Sequence, residues 1–371
     1  MPEADRIIVI PDQLSKARES LGLGRKEVAE TLRIDEKKLE EWERGVSEPP
    51  LEALWDLAEL YQRSTDYFLR TLPALPERLN FRLKHHRVLK DLPHAVRKVI
   101  VRFEELCRAE FELEEALQRK REILIKRSSC ECAPEELAER ERRRLGLGEN
   151  PIRDVRNLIA SQGVRVFVLP IPDVSPIELS GISWWHEEYG PCMLINGRNN
   201  AGRRSFTIAH EYVHLLCNDS PTACAYMLEI PEERFANRFA TVFLMPARAM
   251  RDLFLKIIGP PGSLPTDQAL GRLARHFGVS LEAAGRRLEE LGLIPEGTTD
   301  SRIADWEKRP TRFRAPRGPK WRRQLGEDFV SLALSAYSAG HLSASKLARY
   351  FGLDLRDVLE VVRQARSARS E

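Results

Sequence analysis

Apolar positions recur at helical, three-and-four spacing in several separate stretches of this chain. Between residues 14 and 69 they outline five short helices, the second over Arg25–Leu32 and the third over residues 35–43. Val28, Ala29, Leu32, Leu39 and Trp42 form their predicted core, the small Ala29 allowing a close helix crossing. Arg44-Gly45 ends the third helix and Pro49-Pro50 opens the next segment. Residues 92–127 read as one long helix with Val96, Val99, Ile100, Phe103, Leu106, Leu113 and Leu117 on a stripe that Glu110 interrupts. Such a stripe either pairs two protomers or packs on a neighbouring domain. No Pro or Gly falls between Arg203 and Asn218, and Phe206, Ile208, Ala209, Val213 and Leu216 anchor a buried helix there. A further helix starts at Pro231, buries Ala236, Phe239, Ala240 and Phe243, and stops at Pro246. Near the C-terminus the string Leu273-Ala-Arg-His-Phe-Gly-Val-Ser280 recurs as Leu347-Ala-Arg-Tyr-Phe-Gly-Leu-Asp354, with Val28 to Asp35 as a looser copy. Each copy is a helix, a turn and a restart at an N-cap (Ser280, Asp354, Asp35), so three helix-turn-helix-like units are expected, two of which can be packing units alone.

The helix after Arg203 carries the chemistry. His210-Glu211-Tyr212-Val213-His214 spells HExxH, and histidines four apart on a helix project from one face. Both imidazoles can bind one tetrahedral Zn²⁺, with Glu211 beside the metal as general base. A catalytic zinc needs a third protein ligand. The helix that starts at Pro231 offers Glu232 and Glu233, with Asn237 one turn beyond Glu233 on the same face. Either carboxylate can serve, and Glu233 is also a reasonable solvated residue of a first helical turn. An oxyanion donor is expected among Tyr189, His186, Tyr226 and Tyr212.

The strings Leu194-Ile-Asn196, Arg204-Ser-Phe206-Thr207-Ile-Ala209-His210-Glu211-x-x-His214 and Glu233-x-x-Ala236-Asn237-x-Phe239-Ala240-x-x-x-Leu244-Met245-Pro246 resemble the ImmA/IrrE family of zinc metallopeptidases. Ser180-Gly181 also suits that family, whereas Trp184-Trp185-His186 does not match it. The resemblance spans roughly residues 152–293 and implies that Glu233 is the third ligand. It further implies a zincin-like α+β fold and cleavage of repressor or antitoxin-type protein partners.

Glu43-Arg44-Gly45, Pro49 and Leu54-x-x-Leu57-Ala58 resemble the phage-repressor (Cro/cI, XRE) helix-turn-helix family, whose third helix enters the major groove. The groove-facing candidates here are Glu36, Lys37, Lys38 and Glu41, with Lys26 as a phosphate contact. Asp35 and Glu40 add further acid, so the unit either binds DNA weakly or docks a protein.

Composition narrows the rest. At 371 residues, 42% hydrophobic and 31% charged, the chain is an ordinary multi-domain protein, and no 18-residue apolar run suggests a membrane span. Ile7-Ile8-Val9-Ile10 is too short for a signal peptide, so a cytoplasmic location is expected, with all six cysteines reduced. The net charge of +3 conceals a run of eight Lys and Arg residues from Lys308 to Arg323, interleaved with Trp306, Phe313 and Trp321, that either tracks phosphates or links domains. A second basic cluster spans residues 82–90. The expected architecture is mainly α: a five-helix unit over 10–71, a helical linker over 72–150, a peptidase core with a small sheet over 151–262, and a helical region over 263–371 with two helix-turn-helix-like units. The function expected is a zinc endopeptidase with a DNA-binding unit and possible homodimerisation. The alternatives are a regulator whose zinc domain only senses, or the protease of a toxin–antitoxin pair.

Overall fold

Polar side chains fix the turns of the N-terminal unit while apolar ones fill it. In the computed structural model, which describes residues 9–63, 65–69, 80–82, 92–127, 130–176, 178–217, 222–224, 230–303 and 318–367, this unit holds α1 (Pro11–Ser20), α2 (Arg25–Leu32), α3 (Glu36–Glu43), α4 (Leu51–Leu60) and a 3-10 turn (Thr65–Leu69). Arg33 ends α2 in the left-handed region, and the Asp35 side chain caps α3 by accepting from the Lys37 amide at 3.0 Å. Leu14, Ala17, Leu21, Val28, Leu39, Trp42, Leu54, Leu57 and Phe68 close the core. Glu43, buried under α1 and α2, accepts from Arg18 at 2.6 Å and Arg25 at 2.8 Å.

The helix predicted over residues 92–127 is shorter. α5 runs His94–Ala116, and Gln118, with φ of 54°, turns the chain away. Residues 118–122 are all polar, so a continued helix would bury little apolar surface there; the chain instead runs on as an irregular strap. The Glu110 that interrupts the apolar stripe is buried with Glu114. Arg165 meets Glu114 in a bidentate pair at 3.0 and 2.8 Å and lies 3.3 Å from Glu110, while Arg121 folds back from the strap onto both carboxylates.

After α6 (Pro134–Arg144) and α7 (Val155–Ala160) comes the sheet, with β1 (Asn80–Arg82), β2 (Arg165–Leu169), β3 (Gly181–His186), β4 (Gly190–Asn196) and β5 (Thr222–Cys224) in the order β1-β5-β3-β4-β2. β3 pairs antiparallel with both β4 and β5; β2 runs parallel to β4 and β1 to β5. Strand alternation then sorts the side chains. Ile182, Trp184, Cys192, Leu194 and Phe167 pack against Phe103 and Leu106 of α5. Met193, Ile195 and Val166 face the other way, towards α8 (Ala201–Leu216) and α9 (Pro231–Leu244). The α5 stripe therefore packs on the sheet of its own chain, the second of the two roles open to it.

The helices after α9 divide between the two faces. α10 (Ala247–Ile257), α11 (Asp267–Phe277) and α12 (Leu281–Glu290) join the core around α8 and α9. α13 (Lys320–Leu325), α14 (Glu327–Ser338), α15 (Ala344–Phe351) and α16 (Leu355–Ser367) join α5. The sequence echo is structural: α11 and α15 end, like α2, in left-handed caps at Gly278 and Gly352 before the next helix restarts. Most of the two basic clusters, residues 83–90 and 304–317, lies outside the described residues; Trp321, at the end of the second, stacks on Phe351 at 4.7 Å.

Two expectations about cysteine and membrane meet direct observations. Cys130 and Cys217 form a disulfide across 87 residues with a Cα–Cα distance of 5.2 Å, which corrects the reading of all six cysteines as thiols. Sequence distance hides the pairing because the fold brings the end of α8 beside the strap. Among the described residues, no helix is long and apolar enough to cross a membrane.

Replacing Arg165 with alanine would leave two buried carboxylates, Glu110 and Glu114, sharing the single guanidinium of Arg121. A loss of about 3–5 kcal/mol is expected, since removing one partner leaves buried charge uncompensated. Urea denaturation followed by circular dichroism reads this directly; an unchanged midpoint would contradict it.

Candidate metal centre

α8 begins where the Asn200 side chain accepts from the Arg203 amide at 2.9 Å. From Phe206 to Leu216 every side chain is buried, so HExxH lies inside the core. α9 begins with Pro231 at its first position, leaves Glu232 exposed and turns Glu233 fully inward against α8. The packing of α8 on α9 thus brings together three groups that are nineteen or more residues apart at the closest across the two helices.

His210 Nε2 lies 3.0 Å from Glu233 Oε2, and His214 Nε2 lies 3.2 Å from His210 Nε2 and 3.6 Å from Glu233 Oε1. All three ligand atoms fall within 4.8 Å of one another. Their donor set, two imidazole nitrogens and one carboxylate, suits zinc, and bond lengths of about 2.0–2.1 Å at tetrahedral angles would separate such atoms by about 3.3 Å. The residues present fit a tetrahedral ion. Asn237 Oδ1 sits 2.9 Å from His210 Nδ1, so the amide oxygen can accept a hydrogen bond from Nδ1–H and leave the Nε2 lone pair facing the cluster. Burial opposes protonation of His210, yet the hydrogen bond and charge of Glu233 outweigh it and raise its pKa.

Glu211 sits between the two histidines in sequence and turns towards β3. Ser183 Oγ donates to its Oε2 at 2.7 Å, and Oε1 has no hydrogen-bond partner among the described residues. Burial raises the Glu211 pKa, although the neighbouring histidines oppose this. Gly181 is required by the close approach: a Cβ there would lie 2.7 Å from Glu211 Oε1 and 2.8 Å from Thr207 Cγ2. Strand alternation could have placed both Gly181 and Ser183 on the helix side, but only the three-dimensional register reveals that Ser183 holds the carboxylate.

The expected oxyanion donors do not converge on this centre. Tyr212 Oη donates to Glu141 at 2.9 Å and accepts from Arg144 at 2.9 Å, which fastens α8 to α6. His186, the last residue of β3, stacks on Tyr189 with ring centroids 3.5 Å apart, and Tyr189 is buried in the α5 core. Burial holds the His186 pKa down to about 4. Tyr226 lies outside the described residues.

The nucleic-acid candidates lie together on the N-terminal unit. Lys26 on α2 and Glu36, Lys37, Lys38 and Glu41 on α3 are all exposed, and so is Glu40. Lys26 stands 4.0 Å from Glu30, and Glu41 accepts from Ser47 at 3.3 Å.

Comparison with known families agrees with both units. Residues 159–289 match the family of IrrE N-terminal-like domains, a peptidase family, and residues 14–68 match a helix-turn-helix family. The chain thus joins a helix-turn-helix domain to a metallopeptidase-type domain. No curated protein matches the chain.

One metal ion per chain is expected, and His214→Ala should abolish its retention. Elemental analysis of both purified proteins decides the matter, and equal metal contents would contradict the ligand set.

Proposed function

We propose that this chain is a regulatory zinc metallo-endopeptidase that cleaves a repressor or antitoxin-type protein, with its helix-turn-helix domain bringing it to DNA. The observation that supports this best is the convergence of His210, His214 and Glu233 beside a buried carboxylate that keeps one oxygen unpartnered. An unpartnered carboxylate oxygen beside three converging ligand atoms is where a general base would be needed.

When bound, zinc would supply a Lewis acid that lowers the pKa of a water and polarises a scissile carbonyl. The protein's own part follows from the site. His210 and His214 present Nε2 atoms, and Asn237 fixes the tautomer of the first. Ser183 occupies Glu211 Oε2, so Oε1 is the atom that takes a proton from the attacking water and later returns it to the leaving amine. The raised pKa of Glu211 suits a group that must hold that proton between the two steps. Gly181 brings the β3 backbone against Glu211 and keeps the carboxylate in place.

Glu211→Gln separates metal binding from chemistry. The variant should keep its zinc and lose proteolysis of neighbouring repressor-type proteins, seen as missing fragments by gel electrophoresis and mass spectrometry. Cleavage at the wild-type rate would remove Glu211 from the role of base.

The helix-turn-helix domain has its own test, because exposed acid on α3 also suits docking of a protein. In anisotropy titrations against the gene's upstream DNA, Lys26→Ala should weaken binding to all sequences alike and lower the salt slope by about one. Lys37→Ala should change sequence preference by roughly 1–3 kcal/mol. Binding that is absent at low salt, or indifferent to both substitutions, would favour protein docking.

A further inference from the structure

The end of α8 is held from outside the metal centre. Cys217 is the C-cap residue of α8, its amide bonded to Val213 O at 2.8 Å, and it lies three residues, about one turn, beyond His214. Its disulfide to Cys130 ties that turn to the strap that follows α5. The strap is itself fastened to the sheet region. The Leu124 amide donates to Gln162 O at 3.0 Å and Ile125 is buried in the core. A Cβ at Gly163 would meet Glu122 O at 2.5 Å, so the two backbones are in close contact. Arg127 covers the ring of Trp185 at 4.1 Å, and Trp185 Nε1 donates to Leu215 O at 2.9 Å. One strap therefore grips the last turn of α8 twice, through Trp185 and through sulfur. Cys130 and Cys217 are both half-buried, and the free thiol of Cys132 lies two residues from Cys130, whereas Cys107 and Cys192 are buried away from the strap.

A helix-turn-helix domain works where DNA is, and disulfides in such reducing compartments are usually transient and redox-sensing. We propose that Cys130–Cys217 is a redox modification site, opened by a dithiol reductant, and that opening it loosens the α8 turn that carries His214. A thiolate of the dithiol attacks one sulfur, forms a mixed disulfide and releases the other cysteine as a thiolate, which takes a proton. The second thiol of the reductant then displaces the first cysteine. The dithiol becomes a cyclic disulfide, and its two electrons and two protons end on Cys130 and Cys217. The consequence for the metal rests on the zinc reading above; the loosened turn does not.

The test equilibrates the full zinc-loaded chain in graded ratios of reduced to oxidised dithiothreitol. Differential alkylation with mass spectrometry counts the thiols, and amide hydrogen exchange reads residues 213–217. Cys130 and Cys217 should become thiols together, and exchange in that turn should quicken. Zinc transfer to a chromogenic chelator should accelerate on the order of tenfold, as for loss of other groups that orient metal ligands. Cys130→Ser should show the fast behaviour without reductant, and Cys132→Ser should still respond like wild type. Absence of the bridge from the oxidised protein, or identical exchange over 213–217 in both states, would overturn the proposal. A chain that holds no zinc in either state yet shows the exchange difference would uphold the clamp and remove the zinc reading instead.

Discussion

Burying His210, Glu211, His214 and Glu233 in one apolar interior is the constraint around which the peptidase unit is arranged. An ionised carboxylate or imidazolium loses far more solvation on burial than one hydrogen bond returns, so such groups persist only when paired or bound to metal. Every neighbouring element answers that demand. α9 delivers Glu233 and Asn237, β3 delivers Ser183, and Gly181 lets the strand come close enough to do so. On the other side of α8, Glu141 and Arg144 satisfy the Tyr212 hydroxyl, which fixes the rotation of the helix about its axis. The same rotation aims both histidines at Glu233.

A second set of buried charges holds the remaining parts together. Arg63, at the end of the helix-turn-helix unit, is buried and pairs with Glu104 of α5, which also receives Arg108. Glu110 and Glu114, further along α5, receive Arg165 from β2 and Arg121 from the strap. Arg102 donates to the carbonyls of Arg349 and Tyr350 at 2.6 and 2.9 Å, so α5 also carries α15. α5 is therefore a shared spine: one face grips the helix-turn-helix unit through Val101 and Glu104, another lies on the sheet through Phe103 and Leu106, and one flank carries the C-terminal helices. Buried ion pairs demand specific geometry, which suits a joint that must set one orientation rather than maximise stability.

How much of this was legible in the sequence depended on range. HExxH needs only the periodicity of one helix, and the restart of α3 needs only the N-cap Asp35, so both are readable locally; the left-handed Arg33 that ends α2 is not. Glu233 is distinguishable from Glu232 only through a family resemblance; in the fold Glu233 is buried and Glu232 exposed. Glu110 looked like a flaw in an apolar stripe because its partners, Arg121 and Arg165, are eleven and fifty-five residues away. The end of α5 is not readable locally, because the polar run over residues 118–122 remains compatible with an exposed helix until the strap's tertiary contacts are known. Ser183 and the Cys130–Cys217 pair share that origin: each depends on a register or crossing that no local pattern encodes.

Anomalous diffraction at the zinc absorption edge from crystals of the metal-loaded chain tests the central claim most directly. The account predicts one peak per chain, about 2.0–2.2 Å from His210 Nε2, His214 Nε2 and a Glu233 oxygen. A peak on the cysteines, or one that reaches Glu232 in place of Glu233, would contradict it.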